Sequence, residues 1–239
     1  MYKSSMLLRK YYKGLLPSKV IRFYYVQRGL LNVPAGLRGA ELNPYRVIWI
    51  NPAQLRAKSQ VLVGKKDRNV CHVIDGDWDT QHADFRSHWL YRMLTARFLG
   101  RRPWDDIPEF KDILEGRVNW NKRSTPGEIW ARAALLDCMY EDMCSNGFTP
   151  PPPGCESGRP AVSLESKPSQ IKVRIDRDGN FILETGRHRL ALALITGINL
   201  VPVQPIIRHA EWQRKRIRVV GKKLQGVPAS EAHPDLVYL

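Results

Sequence analysis

Hydrophobic and polar positions alternate, and then change period, over residues 171–209. Ile171, Val173 and Ile175 alternate with Lys172 and Arg174, and Phe181, Ile182 and Leu183 begin a second apolar run. Asp178 and Gly179 supply a two-residue turn between them, so the pattern predicts a hairpin. After Gly186 the residues Leu190, Ala191, Leu194 and Ile195 fall at helical spacing, Gly197 is placed to cap the helix, and Val201, Pro202 and Val203 resume as strand. The predicted order is strand, turn, strand, glycine, helix, strand.

Upstream the pattern is more varied. Residues 4–16 place Leu7, Leu8, Tyr11, Tyr12 and Leu15 on one helical side and stop at Pro17, while residues 18–26 suit helix or strand equally. Residues 46–52 predict a short buried strand ending in a turn, and residues 61–63 and 70–74 predict a hairpin around the basic loop 65–68. From residue 84 to about 147 the period is helical. Phe85, Trp89, Met93 and Ala96 share one face, Pro108 opens a second helix, and Ile129, Ala133, Leu136, Met139 and Tyr140 make a third, closed at Asn146 and Gly147. Tryptophans 89, 104, 120 and 130 are expected to hold these helices together. Pro150 to Pro153 mark a stiff linker, and residues 149–168 stay loop-like throughout. The segment following Arg208 predicts a basic helix or strand end, with an irregular tail from residue 221.

The expected fold class is therefore α/β or α+β. Its parts are a basic N-terminal extension (1–45), first core strands (46–83), a helical insertion (84–148), a proline-rich linker (149–168), a phosphate-binding core (169–220) and the tail (221–239).

Charge changes this picture at the N-terminal end. Of the net +15, residues 1–68 carry +12, with 14 lysines and arginines against Glu41 and Asp67. Such a bias argues for an anionic partner, DNA or RNA or an acidic membrane surface, although the same segments could dock on the core with their charges solvated. Cys71, Cys138, Cys144 and Cys155 show no zinc spacing, so reduced thiols are expected. No stretch has the length and apolarity of a bilayer span or a secretion signal, which makes a cytoplasmic protein the expectation.

Candidate chemistry concentrates where a strand hands over to a helix. At Gly186, Arg187, His188 and Arg189, backbone N–H groups and the helix dipole converge, the glycine lets an anion approach, and three cationic or donor side chains stand beside it. This is the pattern of a phosphate site. The alternative is a basic helix start whose arginines are solvated or pair with Glu184. Asp75, Asp77 and Asp79 are two residues apart, so an extended backbone would align three carboxylates for Mg²⁺ or general-base work. A turn cluster with Trp78 in the core would equally explain them. His209 is a candidate acid or base, or a packing residue.

Thr185, Gly186, Arg187, His188, Arg189, Leu190, Ala191, Leu192 and Ala193, with Val201 to Val203 and Arg208 to Gln213, resemble the core of the ParB/sulfiredoxin superfamily. The likeness is greatest to stand-alone prokaryotic proteins with ParB-like domains. Val47 to Pro52 resemble the first strand of that fold, and Asp75 to Asp79 a recurrent element of it. The resemblance implies a Gly-x-x-Arg motif holding the phosphates of a nucleoside triphosphate such as ATP or CTP. It implies Thr185, Gly186, Arg187, His188 and Arg189 as nucleotide contacts, with Mg²⁺ at Asp75, Asp77 and Asp79. Phosphoryl transfer or hydrolysis would then be assisted by Asp75, Asp77, Glu184 or His209. Sulfiredoxins have a catalytic cysteine where this chain has Arg187, so thiol chemistry is not expected here. Many relatives place an acid directly before the glycine. Here Thr185 stands there, a hydroxyl that could assist at Mg²⁺, and a regular strand would turn Glu184 to the other face. With only a short tail after Arg208, a complete partition protein is not expected. The functional alternative is a non-catalytic DNA- or RNA-binding protein, or a ParB-like nuclease, using the basic N-terminal part.

Overall fold

The computed structural model describes residues 33–43, 46–58, 62–64, 70–120, 125–148, 171–224 and 233–237, together with Gln27, Leu30 and Leu31. The two N-terminal segments, the basic loop, the proline-rich linker and most of the tail lie outside these residues.

Strand β7 (Val201–His209) is the spine of a five-stranded mixed sheet. On one side it pairs in parallel with β5 (Ile171–Ile175), which pairs antiparallel with β6 (Phe181–Thr185). On its other side β1 (Ile48–Ile50) runs antiparallel against Val201 to Val203, and β3 (His72–Ile74) runs parallel against Ile207 to His209. Two short strands, β2 (Ala57–Lys58) and β4 (His82–Ala83), form a separate ladder. The hairpin expected around residues 65–68 is not seen among the described residues. Leu62 and Val63 belong to no strand, and β3 finds its partner in β7.

The β5–β6 connection is longer than the two-residue turn expected. It occupies residues 176–180 because the Asp176 carboxylate organises it, accepting from the N–H groups of Asp178 (3.0 Å) and Asn180 (2.7 Å). Gly179 is required there twice over. Its φ is +98°, and a Cβ would lie 2.6 Å from the Trp212 ring.

Six helices complete the described fold. Three lie between the strands, α1 (Trp89–Phe98), α2 (Pro108–Leu114) and α3 (Pro126–Asn146). Helix α3 starts at a capping box in which Thr125 and Glu128 exchange side-chain to backbone bonds. Next come α4 (Arg187–Ile195), α5 (Ala210–Leu224) and the short α6 (Pro234–Val237), so residues 221–224 and 234–237 of the tail expected to be irregular are helical. Gly197 closes α4 as expected, at φ +73° with Ile198 N–H donating to Ala193 O. One hydrophobic core joins Leu90, Met93, Phe110, Trp120 and Leu136 of the helical region to Ile171, Val173, Leu183 and Leu190. The helical segment therefore packs on the first face of the sheet.

Two bulges rearrange the second face. Val173 pairs with Pro205 and Arg174 with Ile207, so Ile206 is an extra residue in β7. The bulge accommodates a proline in a central strand and lets Ile206 and Ile207 both join Val63, Trp78 and Ile182. It also turns Arg208 back to the first face. There Arg208 and Arg216 of α5, both fully buried, share the carboxylate of Asp235 on α6. In β6 the register passes from Leu183 to Thr185, leaving Glu184 as the extra residue.

Candidate functional site

The handover from β6 to α4 is built by one glycine. Gly186 has φ +99° and ψ +23°, and a Cβ there would sit 3.0 Å from the Ile171 Cα. Only glycine therefore permits both the left-handed turn and the close approach of β5. Leu190 N–H donates to Gly186 O at 3.0 Å, so the helix begins at once. Its first-turn N–H groups, like those of any helix, have no intrahelical acceptor, and the dipole adds partial positive charge.

Arg187 projects from this turn into solvent, its Nη1 3.2 Å from Nε2 of His88. His88 comes from a different element. It caps α1, with Nδ1 accepting from Leu90 N–H at 3.1 Å. Burial, and then the charges of Arg187 and Arg92, push its pKa below the ordinary value, which keeps the ring neutral near pH 7. A neutral ring whose Nδ1 accepts must carry its proton on Nε2. That proton faces the Arg187 guanidinium, so two donors converge at one point beside a helix N-terminus.

The other residues of the motif are placed differently. His188 accepts a hydrogen bond at Nε2 from the indole of buried Trp120, at 3.1 Å, and so ties α4 to the helical region instead of presenting that nitrogen to an anion. Arg189 is half-buried in the same first turn. Thr185 ends β6 opposite Lys172.

Glu184 is not a catalytic acid in this arrangement. Because it occupies the bulge, the regular-strand geometry does not apply, and its fully buried carboxylate receives Nε (2.7 Å) and Nη2 (2.6 Å) of Arg174. Arg174 is buried as well and lies 5.8 Å from the Trp78 ring centroid.

Asp75, Asp77 and Asp79 do not share a face. The backbone turns at Gly76 (φ +90°) instead of extending. Asp79 points inward and accepts from Arg177 through N (2.9 Å), Nε (2.9 Å) and Nη2 (2.7 Å). Burial works to raise the Asp79 pKa, but the Arg177 bonds outweigh it and hold the carboxyl down to about 2. Asp77 points outward to the same guanidinium at 2.8 Å, and Asp75 bonds its neighbour Gly76 N–H at 2.9 Å. Among the described residues no three His, Cys, Asp or Glu side chains are grouped to hold a metal ion.

His209 is buried and belongs to that turn, not to the α4 site. Its Nε2 donates to Gly76 O at 2.8 Å and its Nδ1 accepts from Glu211 N–H at 3.1 Å, so both ring nitrogens are used. Ile171, against which Gly186 packs, is in register with Val203. His209 is six residues further along β7, about 20 Å at roughly 3.3 Å per residue.

The carboxylates expected to serve the phosphate motif are thus engaged elsewhere, and the residue that does meet it, His88, was not among the candidates. Its place before an apolar helical run marks a capping residue in sequence. Nothing in the sequence joins it to Arg187, 99 residues away. Comparisons with family models, with curated proteins and with solved structures found no match.

Proposed function

We propose that the chain binds the phosphates of a nucleoside triphosphate at the start of α4, as a member of the ParB/sulfiredoxin superfamily. The observation that carries this reading is the meeting of Arg187 Nη1 and His88 Nε2 at 3.2 Å beside Gly186, with Nε2 bearing the hydrogen of the neutral ring in the tautomer that the cap bond at Nδ1 sets. Two donors facing one another are mutually unfavourable until an acceptor oxygen stands between or beside them, and a phosphate supplies several. The helix N-terminus and the absent side chain at Gly186 favour the same ligand.

A metal held by the chain does not fit this site. Its described donors are N–H groups, and Glu184, Asp77 and Asp79 are committed to arginines. Mg²⁺ would have to arrive with the nucleotide. The reading is therefore of binding.

Thermal-shift and calorimetric titrations with ATP, CTP, GTP and their diphosphates, with and without Mg²⁺, test it. One nucleotide should raise the melting temperature. Arg187→Ala should weaken that nucleotide about ten- to a hundredfold, the equivalent of about 1.5–3 kcal/mol for a charged hydrogen bond. His88→Asn should weaken it too, because an asparagine oxygen can still cap α1 while the Nε2 donor is gone. Undiminished affinity in Arg187→Ala would disprove the reading.

A further inference from the structure

Helix α5 is amphipathic in an unusual sense, since its outward row is basic and its inward row is closed. Trp212, Gln213, Arg216 and Val219 are buried. Outside, Arg214, Arg218 and Lys222 recur every four residues, which sets them on one helical row about 6 Å apart along the axis. Arg214 is held by Glu211 and lies 3.6 Å from Asp75. Arg218 and Lys222 are exposed and bind no carboxylate among the described residues. Lys215 stands beside the row, its ammonium 5.1 Å from the Trp212 ring centroid.

Tertiary structure brings the basic N-terminal part of the chain to this helix. Residues 33–43 pack on α5, with Gln213 donating to Leu37 O (2.9 Å), Arg216 to Glu41 O (2.9 Å) and Gly39 close against Ile217. The segment carries exposed Arg38, and residues 1–32, which precede it, contain seven lysines and arginines and no acid. The end of that basic stretch is therefore anchored on a basic helix far from it in sequence.

We propose that the outer face of α5 is a docking surface for the phosphodiester backbone of duplex DNA, bound without regard to sequence. A stiff row of evenly spaced cations suits a stiff, regularly charged backbone. The exposed positions described in α5 are Glu211, Arg218 and Lys222, so they offer no apolar side chain for a bilayer and no aromatic ring on which unpaired bases could stack. The surface is distinct from the nucleotide site, because α5 starts at the end of β7 remote from Gly186.

The test is fluorescence anisotropy of a labelled 20-base-pair duplex with the full-length protein, over salt from about 50 to 200 mM. Arg218→Gln/Lys222→Gln should weaken binding tenfold or more at the low-salt end and reduce the slope of log K against log salt by about 2, at roughly 0.9 for each phosphate no longer neutralised. Its melting temperature should not change, because neither side chain gives up an ion pair with a described residue. Arg187→Ala should leave duplex binding intact, which separates this surface from the nucleotide site. Unchanged affinity and slope in the double variant overturn the proposal, as does a wild-type protein that binds single-stranded RNA or phosphatidylserine vesicles but not the duplex.

Discussion

Asp235→Asn removes the carboxylate that two buried guanidinium groups share. Arg208 meets Asp235 through Nε (2.9 Å) and Nη2 (2.6 Å), Arg216 approaches through Nε at 3.1 Å, and the Trp212 indole donates at 3.0 Å. The side chains of all three ionic partners are at most 1 % exposed. Asparagine has nearly the same volume, so no cavity opens; what is lost is charge. Breaking one buried pair costs about 3–5 kcal/mol because the surviving ion is left desolvated and uncompensated. Here two cations are left, which places the expected loss near the upper figure of about 5 kcal/mol, against a total stability for such a domain of about 5–15 kcal/mol. Equilibrium urea unfolding should show the midpoint falling with an unchanged slope, and the melting temperature should drop by about 10 °C or more. Burial works to raise the pKa of Asp235, but Arg208 and then Arg216 hold it well below the usual carboxylate range. Its contribution is therefore complete above the unfolded value near 4 and is lost only as the pH falls beneath it, so the variant should show a flatter acid limb. A loss under about 1 kcal/mol would refute the reasoning, since it would mean that both arginines are hydrated and that α6 does not seal them.

The Asp79 carboxyl, held at about 2, contributes about 2 kcal/mol of stability that is present above pH 4 and lost as the pH falls towards 2. Stability measured against pH should therefore decline more steeply over that window in the natural protein than in Asp79→Asn, which keeps the Asp235 contribution. Gly186→Ala should destabilise by at least about 1 kcal/mol, from the left-handed backbone and the Ile171 approach, and should abolish the nucleotide-induced thermal shift. Gly221→Ala should do the opposite. It lies inside α5 with nothing within 4 Å of the added carbon, so unfolding should show a gain of about 0.5–1 kcal/mol.

Most of the core around α4 is legible in the chain. The alternation at Ile171, Val173 and Ile175, the helical spacing from Leu190 to Ile195, and the cap at Gly197 are local signals, and each produces its element. The mixed α/β class follows from them. The basic charge is equally local, and so is the absence of a described helix long and apolar enough to cross a membrane.

What the tertiary structure decided is which side chain meets which. Asp79 faces inward because Arg177, 98 residues away, is there to receive it, and Glu184 is buried because β5 offers it Arg174. His209 joins a turn about 20 Å from the Gly186 motif, while His88 is brought to Arg187 from the cap of another helix. Residue periodicity determines elements because backbone hydrogen bonding and apolar burial repeat along the chain. Ion pairs and shared protons have no such period. They depend on register, bulges and packing between distant segments, so these partners could be identified only in the fold.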